Sequence, residues 1–105
     1  MNDEKRSAER VPVNLSTRWQ GFSGSHEGRV EDLSMSGCFV NTKGAVDVGE
    51  TVSLLIQLPT GRWLPLRGKV IFNQLLTGFS LSFSILDEKE RDVLKQLVAG
   101  QSDAV

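Results

Sequence analysis

From Val11 the chain alternates strictly. Val11, Val13, Leu15, Thr17 and Trp19 are interleaved with Pro12, Asn14, Ser16 and Arg18. A period of two places one set on a buried face and the other in solvent, so this segment predicts a strand. Pro12 sits early, where a strand tolerates a missing N–H. Gly21 to Gly28, with Ser23, Gly24 and Ser25 between them, reads as a turn. A second strand is expected from about Gly28 to Leu33, and Ser34 to Gly37 breaks it. Cys38 to Asn41 resumes as a third strand, and Thr42 to Glu50 is loop. Val52, Leu54, Ile56 and Leu58 then alternate with Ser53 and Gln57 up to a Pro59-Thr60-Gly61 turn.

Two more strands follow. Leu64 to Phe72 places Leu66, Val70 and Phe72 on one face and Arg67, Lys69 and Ile71 on the other. Gly78 to Ile85 alternates Phe79, Leu81, Phe83 and Ile85 with three serines. The period then changes. Asp87 and Glu90 have capping-box spacing, Val93, Leu94, Leu97 and Val98 form one stripe, and Gly100 is positioned to end a helix over 87–99. Six short strands and one helix predict an all-β fold, a six-stranded antiparallel barrel with a C-terminal helix, since closure removes exposed edges. The helix would cover an open end or lie outside. Residues 1–9 carry no periodicity and read as a flexible arm, 10–100 as the barrel with its helix, and 101–105 as a disordered tail.

Composition then narrows the chemistry. The 105 residues make one domain, with room for one core and not for a large enclosed active site as well. The net charge of -1 gives no bulk pull toward nucleic acid or an anionic membrane. A barrel that binds single-stranded nucleic acid needs a basic groove with stacking aromatics, and the aromatics here follow the apolar pattern. Cys38 is the only cysteine and His26 the only histidine. No internal disulfide can form, no metal site or cofactor is expected, and no nucleophile–base–orienter set can be built, so no catalysis is expected. His26 reads as an exposed loop residue, Cys38 as core, and Trp19 and Trp63 as core or rim. Met1 to Arg10 lacks an apolar signal core, and no run approaches the ~18 apolar residues of a membrane span. A cytoplasmic location without membrane insertion is the expectation.

Two short patterns remain. Arg6 and Arg10 have three residues between them. Arginine offers a planar fork that matches phosphate oxygens and a flat face that stacks on bases. The bland alternative is a solvated charged tail. Asp32-Leu33-Ser34-Met35-Ser36-Gly37 combines a carboxylate, which can accept both donors of a guanine edge, with short hydroxyls and a glycine that permits positive φ or close ligand approach. The Ser34 hydroxyl could bond a ribose or phosphate oxygen, or hold the turn through the backbone. The bland alternative is an ordinary turn. If the first two strands pair antiparallel, both patterns meet at one end of the barrel.

Arg6-Ser7-Ala8-Glu9-Arg10 followed by Asp32-x-Ser34-x-x-Gly37 resembles the two-part motif of the PilZ domain, the bacterial receptor module for cyclic di-GMP. The resemblance extends to Val11-Pro12-Val13, Gly68-x-Val70 and Gly78-x-x-x-x-Phe83. It implies a six-stranded barrel with a C-terminal helix. It also implies that Arg6 and Arg10 bind phosphates and stack on guanines, while Asp32, Ser34 and Gly37 line the guanine and ribose side. Many members carry two adjacent arginines where this chain has Lys5-Arg6, and lysine keeps the charge without the fork. Lys5, Ser36 and Phe72 are secondary candidates. Some members place an aromatic ring beside the ligand in the region of Phe72, although its alternation with Leu66 and Val70 favours the core. The implied role is a stand-alone cyclic di-GMP effector whose ordered arm changes the surface offered to an unidentified downstream protein. The other reading is a PilZ-like interaction module that binds no nucleotide. Homo-oligomerisation is left open.

Overall fold

The computed structural model describes residues 10–102. Six strands form a closed antiparallel barrel: β1 (Val11–Gly21), β2 (Gly24–Leu33), β3 (Gly37–Asn41), β4 (Thr51–Gln57), β5 (Trp63–Gln74) and β6 (Gly78–Phe83), in the order β1-β2-β3-β6-β5-β4. One helix, α1 (Glu88–Ser102), follows. The inward residues are those the alternation assigns. Val30, Val40, Val52, Leu54, Ile56, Val70, Phe79 and Leu81 are all buried, and so are Thr17 and Trp19. Thr17 satisfies its hydroxyl by donating to the Leu55 carbonyl (2.7 Å), and Trp19 donates its indole N–H to Thr42 Oγ1 (3.1 Å). No buried side-chain N or O among the described residues lacks a partner.

The helix begins with a reciprocal capping box. The Glu90 N–H donates to Asp87 Oδ1 (2.7 Å) and the Asp87 N–H to Glu90 Oε1 (3.1 Å). Leu94 and Leu97 enter the barrel core, and the helix packs against β1 and β5. It runs past Gly100 to Ser102, because a single glycine lowers helix propensity without stopping it.

Most other differences from the sequence-based expectation follow from cross-strand pairing. The β1–β2 turn is only Phe22-Ser23, so β2 begins at Gly24; its polar first half is held by its register with β1, Arg18 opposite Glu27 and Trp19 opposite His26. His26 is thus a half-buried strand residue. Its ring stacks on Trp19 with centroids 4.5 Å apart. Trp63 lies at the rim beneath the Arg18 guanidinium (4.9 Å). Ile85 falls beyond the end of β6 and is fully exposed.

Phe72 leaves the core as well. The register of β5 on β6 slips by one between Val70 and Phe72, so Ile71 is an extra residue in a bulge. Both Ile71 and Phe72 therefore reach solvent, at 55% and 53% exposure. Beyond them the hairpin closes through the Thr77 N–H to the Gln74 carbonyl (2.9 Å), with Leu76 at φ 65°. A leucine in the left-handed region costs roughly 1–2 kcal/mol.

β6 is clasped from both sides by glycines. A Cβ on Gly37 of β3 would strike the Leu81 carbonyl oxygen, and one on Gly68 of β5 would strike the Ser82 carbonyl oxygen. Gly37 has no positive φ, so close strand approach is what requires glycine there. Gly68→Ala should therefore destabilise the barrel by roughly 1–3 kcal/mol through overpacking. Urea unfolding reads this as a lower midpoint, and a wild-type midpoint would contradict the clasp.

Cys38 is fully buried in the core, and that burial pushes its thiol from 9.0 up to about 12. The Asp32 charge adds to the rise and Arg10 offsets part of it. The sign is clear: the unfolded chain releases the proton near pH 9 while the folded one keeps it. The stability Cys38 contributes is complete below about pH 9 and falls as pH rises toward about 12. Subtracting the unfolding free energies of Cys38→Ala from wild type at a series of pH values should give a difference that declines above about pH 9; a flat difference refutes the assignment.

Candidate functional site

The expectation that the two motifs meet is met for the part within the described residues. Arg10 immediately precedes β1, Asp32 lies near the end of β2, and Pro12 pairs with Asp32 in register. Arg10 Nη1 donates to Asp32 Oδ1 at 2.5 Å, the one side-chain ion pair among the described residues. Both side chains are more than a third exposed, at 38% and 37%. In that setting an ion pair contributes about 0–1 kcal/mol, so the two groups can be drawn apart cheaply. Lys5 and Arg6 lie outside the described residues.

Asp32 faces outward because of a second bulge. Val30 pairs with Val40 and Asp32 with Phe39, leaving Glu31 as the extra residue. Regular alternation from the buried Val30 would have turned Asp32 into the core. With the insertion, Glu31 and Asp32 both face out and Leu33 returns inward. Glu31 is held by the Asn41 side-chain amide (3.0 Å).

The turn after β2 is built on Ser34, which is fully buried. Its Oγ accepts the N–H groups of Ser36 and Gly37 (3.1 Å each), while its backbone N–H donates to the Gly37 carbonyl (2.9 Å). Of the two roles open to this hydroxyl, it performs the backbone one. Ser36 is exposed, and its carbonyl accepts the Phe83 N–H (2.8 Å), tying the turn to β6.

The registers then reveal a row that neither motif contains. Asp32 pairs with Phe39, Phe39 with Ser80, and Ser80 with Phe72. The buried neighbours of Phe39 and Ser80 (Cys38, Val40, Phe79, Leu81) show that both point outward. One row nearer the Ser34 turn lie Gly37, Ser82 and the exposed Lys69. The outer face of β2-β3-β6-β5 is therefore a shelf. Small residues fill its middle, Phe39 and Phe72 supply aromatic surface, an Arg–Asp pair stands at one side and a cation at the other. Such a shelf can seat a flat ring system carrying polar edges and anionic groups.

Phe39, Ser80, Ser82 and Lys69 escaped the sequence reading, because only cross-strand register brings them together. The serine alternation of β6 was the sole signal, and it marked a face without saying what the face was for. A groove of about 590 Å³ with Arg18, Leu55, Pro65 and Arg67 among its lining includes none of Arg10, Asp32 and Gly37.

His26 does not open a catalytic route. Ser23 Oγ lies 2.9 Å from its Nε2, but the hydroxyl proton goes to the Ala45 carbonyl (2.8 Å). The serine thus accepts from the histidine, the reverse of what an activated nucleophile needs.

Comparison with known structures finds the same architecture. The PilZ domain of CeSA from a cellulose-synthesizing bacterium superposes with a TM-score of 0.71 at 22% identity, covering 90% of this chain and 99% of that one. The Bacillus subtilis inhibitor of motility, MotI/DgrA, gives 0.77 at 20% identity over 96% of this chain and 53% of that one. The PilZ domain of Escherichia coli YcgR with c-di-GMP gives 0.76 at 12% identity, over 93% and 92%. At these identities the likeness is one of fold. No curated protein matches the sequence. The PilZ domain model itself matches residues 4–100, nearly the whole sequence, and the chain belongs to the PilZ domain family.

Proposed function

We propose that this protein is a cyclic di-GMP effector without catalytic activity, binding the nucleotide on the outer shelf of β2-β3-β6-β5. The observation that carries this reading is the register row joining Asp32 to Phe39, Ser80 and Phe72, with Arg10 already beside Asp32. Its support from the comparisons is membership of a cyclic di-GMP receptor family and a fold shared with a domain solved with that ligand.

Each residue has a distinct task. Asp32 exchanges its exposed ion pair for the two donors of a guanine edge. The freed Arg10 then turns to a phosphate, and Arg6 grips the ligand from the arm, with Lys5 adding charge. Gly37 leaves the shelf flat. Ser34 keeps the turn in shape from below, and Ser36 offers its exposed hydroxyl at the rim. Phe72, and Phe39 beside it, present faces for a base. Ordering the arm costs free energy that the arginine contacts must exceed. Once ordered, the arm alters the surface shown to a downstream protein, and the signal passes through that contact. The setting we propose is the bacterial cytoplasm.

Calorimetric titration with cyclic di-GMP at micromolar protein tests this directly; absence of heat would leave the ligand-free interaction module as the better reading. Arg10→Ala and Asp32→Ala should each weaken binding by roughly 1.5–3 kcal/mol, the range for hydrogen bonds to charged groups, with little change in unfolding temperature. Phe72→Ala should cost about 1–3 kcal/mol of affinity if a base stacks there. Ser34→Ala should behave oppositely. It strands two N–H groups in a buried turn and lowers folding stability by about 1–3 kcal/mol, with affinity falling only as far as the turn deforms. Wild-type affinity in the Asp32 variant would show that the shelf is misassigned.

A further inference from the structure

Eight large apolar side chains of the described residues are markedly exposed, and six of them gather at the end of the barrel away from the Ser34 turn: Phe22, Val48, Ile71, Phe72, Leu75 and Leu76. Hydrogen bonds join the Phe22, Val48 and Ile71 segments, and β5 carries the chain on to Leu75 and Leu76. The Phe22 N–H donates to Glu50 Oε2 (3.0 Å), the Val70 N–H to the Glu50 carbonyl (3.0 Å), and the Gly49 N–H beside Val48 to the Val70 carbonyl (2.7 Å). Leu75 and Leu76 form the tip, 77% and 70% exposed.

Two features set this patch apart from scattered surface leucines. Leu76 occupies a left-handed position where glycine or asparagine is the favoured residue, so the chain keeps an apolar anchor there against local preference. The β5 bulge likewise turns two consecutive apolar residues outward where a regular strand would expose one. From Val70 to Leu86 the sequence has no charged residue, and the net charge is only -1, so a like surface meets little repulsion.

We infer that this patch is the contact between two copies of this chain. Its two halves are unlike and complementary, a protruding Leu75–Leu76 tip and an Ile71–Phe72 shelf backed by the small Ser80. A two-fold axis lets each tip rest on the other copy's shelf, the self-complementary arrangement of an isologous dimer. A specific interface needs about 1,000 Å² in total, or about 500 Å² from each copy. A patch of the ~300–600 Å² that single domains typically expose is about what one copy must contribute. That meets the requirement with little excess, so the dimer is weak and concentration-dependent. Phe72 belongs to the patch and to the nucleotide shelf. The second copy and the nucleotide therefore compete, and by linkage cyclic di-GMP weakens dimerisation by the factor that dimerisation weakens nucleotide binding. This coupling rests on the proposed function; dimerisation itself does not.

Sedimentation equilibrium of the full chain from about 5 µM to about 1 mM, spanning weak self-association, should give a mass rising toward the dimer. Leu75→Asp with Leu76→Asp should weaken association at least tenfold. Leu76→Gly separates contact from folding. It relieves the left-handed strain and removes an anchor, so the turn should be no less stable while self-association falls. A monomer at every concentration overturns the proposal. So does a dimer indifferent to both variants, or a monomer that cosediments with phosphatidylcholine vesicles through the same leucines. Adding cyclic di-GMP should lower the mass. A dimer that persists while calorimetry shows no nucleotide binding would overturn the coupling and the proposed function and leave the dimer standing.

Discussion

Closure of the sheet is the constraint on which everything else depends. Once six strands pair in a ring, every residue is committed to the inside or the outside, and a side chain changes sides only through an extra residue in its strand. Three register shifts are present among the described residues, one between Pro12 and Leu15 of β1, one at Glu31 in β2 and one at Ile71 in β5. The latter two each turn outward a residue that alternation would have buried, Asp32 in one case and Phe72 in the other. The shelf between them is the outer surface of two strands, β3 and β6, that keep a regular register with each other. The barrel supplies rigidity, and the two irregularities supply the chemistry.

That division explains what the sequence makes legible. The inward face of nearly every strand is written in a period-two pattern, and the helix announces itself through Asp87, Glu90 and the Leu94–Leu97 stripe. The Asp32 to Gly37 segment is recognisable because its chemistry is compact, a carboxylate, a turn-forming serine and a glycine within six residues. The bulges carry no such local mark. Ile71-Phe72 looks like any apolar pair in a strand, and only pairing with Leu81 and Ser80 reveals that one residue is surplus. The polar start of β2 is a similar case. Gly24 to Gly28 has the composition of a loop, and it is extended because β1 offers a partner strand. His26 sits against Trp19 for the same reason.

The Ser34 turn has a different lesson. Its serine and glycine were candidates for direct ligand contact, yet both are engaged by the protein, Ser34 with two backbone N–H groups and Gly37 with the backbone of β6. A motif of this kind can be specific to a binding fold while most of its members act on the scaffold. What it presents to solvent is chiefly Asp32 and the Ser36 hydroxyl. Arg10 is joined to that carboxylate by an exposed and therefore weak ion pair.

The two insertions differ in what it would cost the fold to absorb them. If β5 paired on β6 with Ile71 in regular register, Phe72 would turn toward the core, adding one apolar ring to an apolar interior. If β2 did the same with Glu31, Asp32 would point into the core beside Val30, a carboxylate with no counter-charge in a dry setting. Deleting the surplus residue is a different event. With Ile71 or Glu31 gone the strand becomes regular, and Phe72 or Asp32 keeps its outward place opposite Ser80 or Phe39. The shelf therefore survives loss of either extra residue, and a slip of register threatens its aromatic side far more than its acidic side.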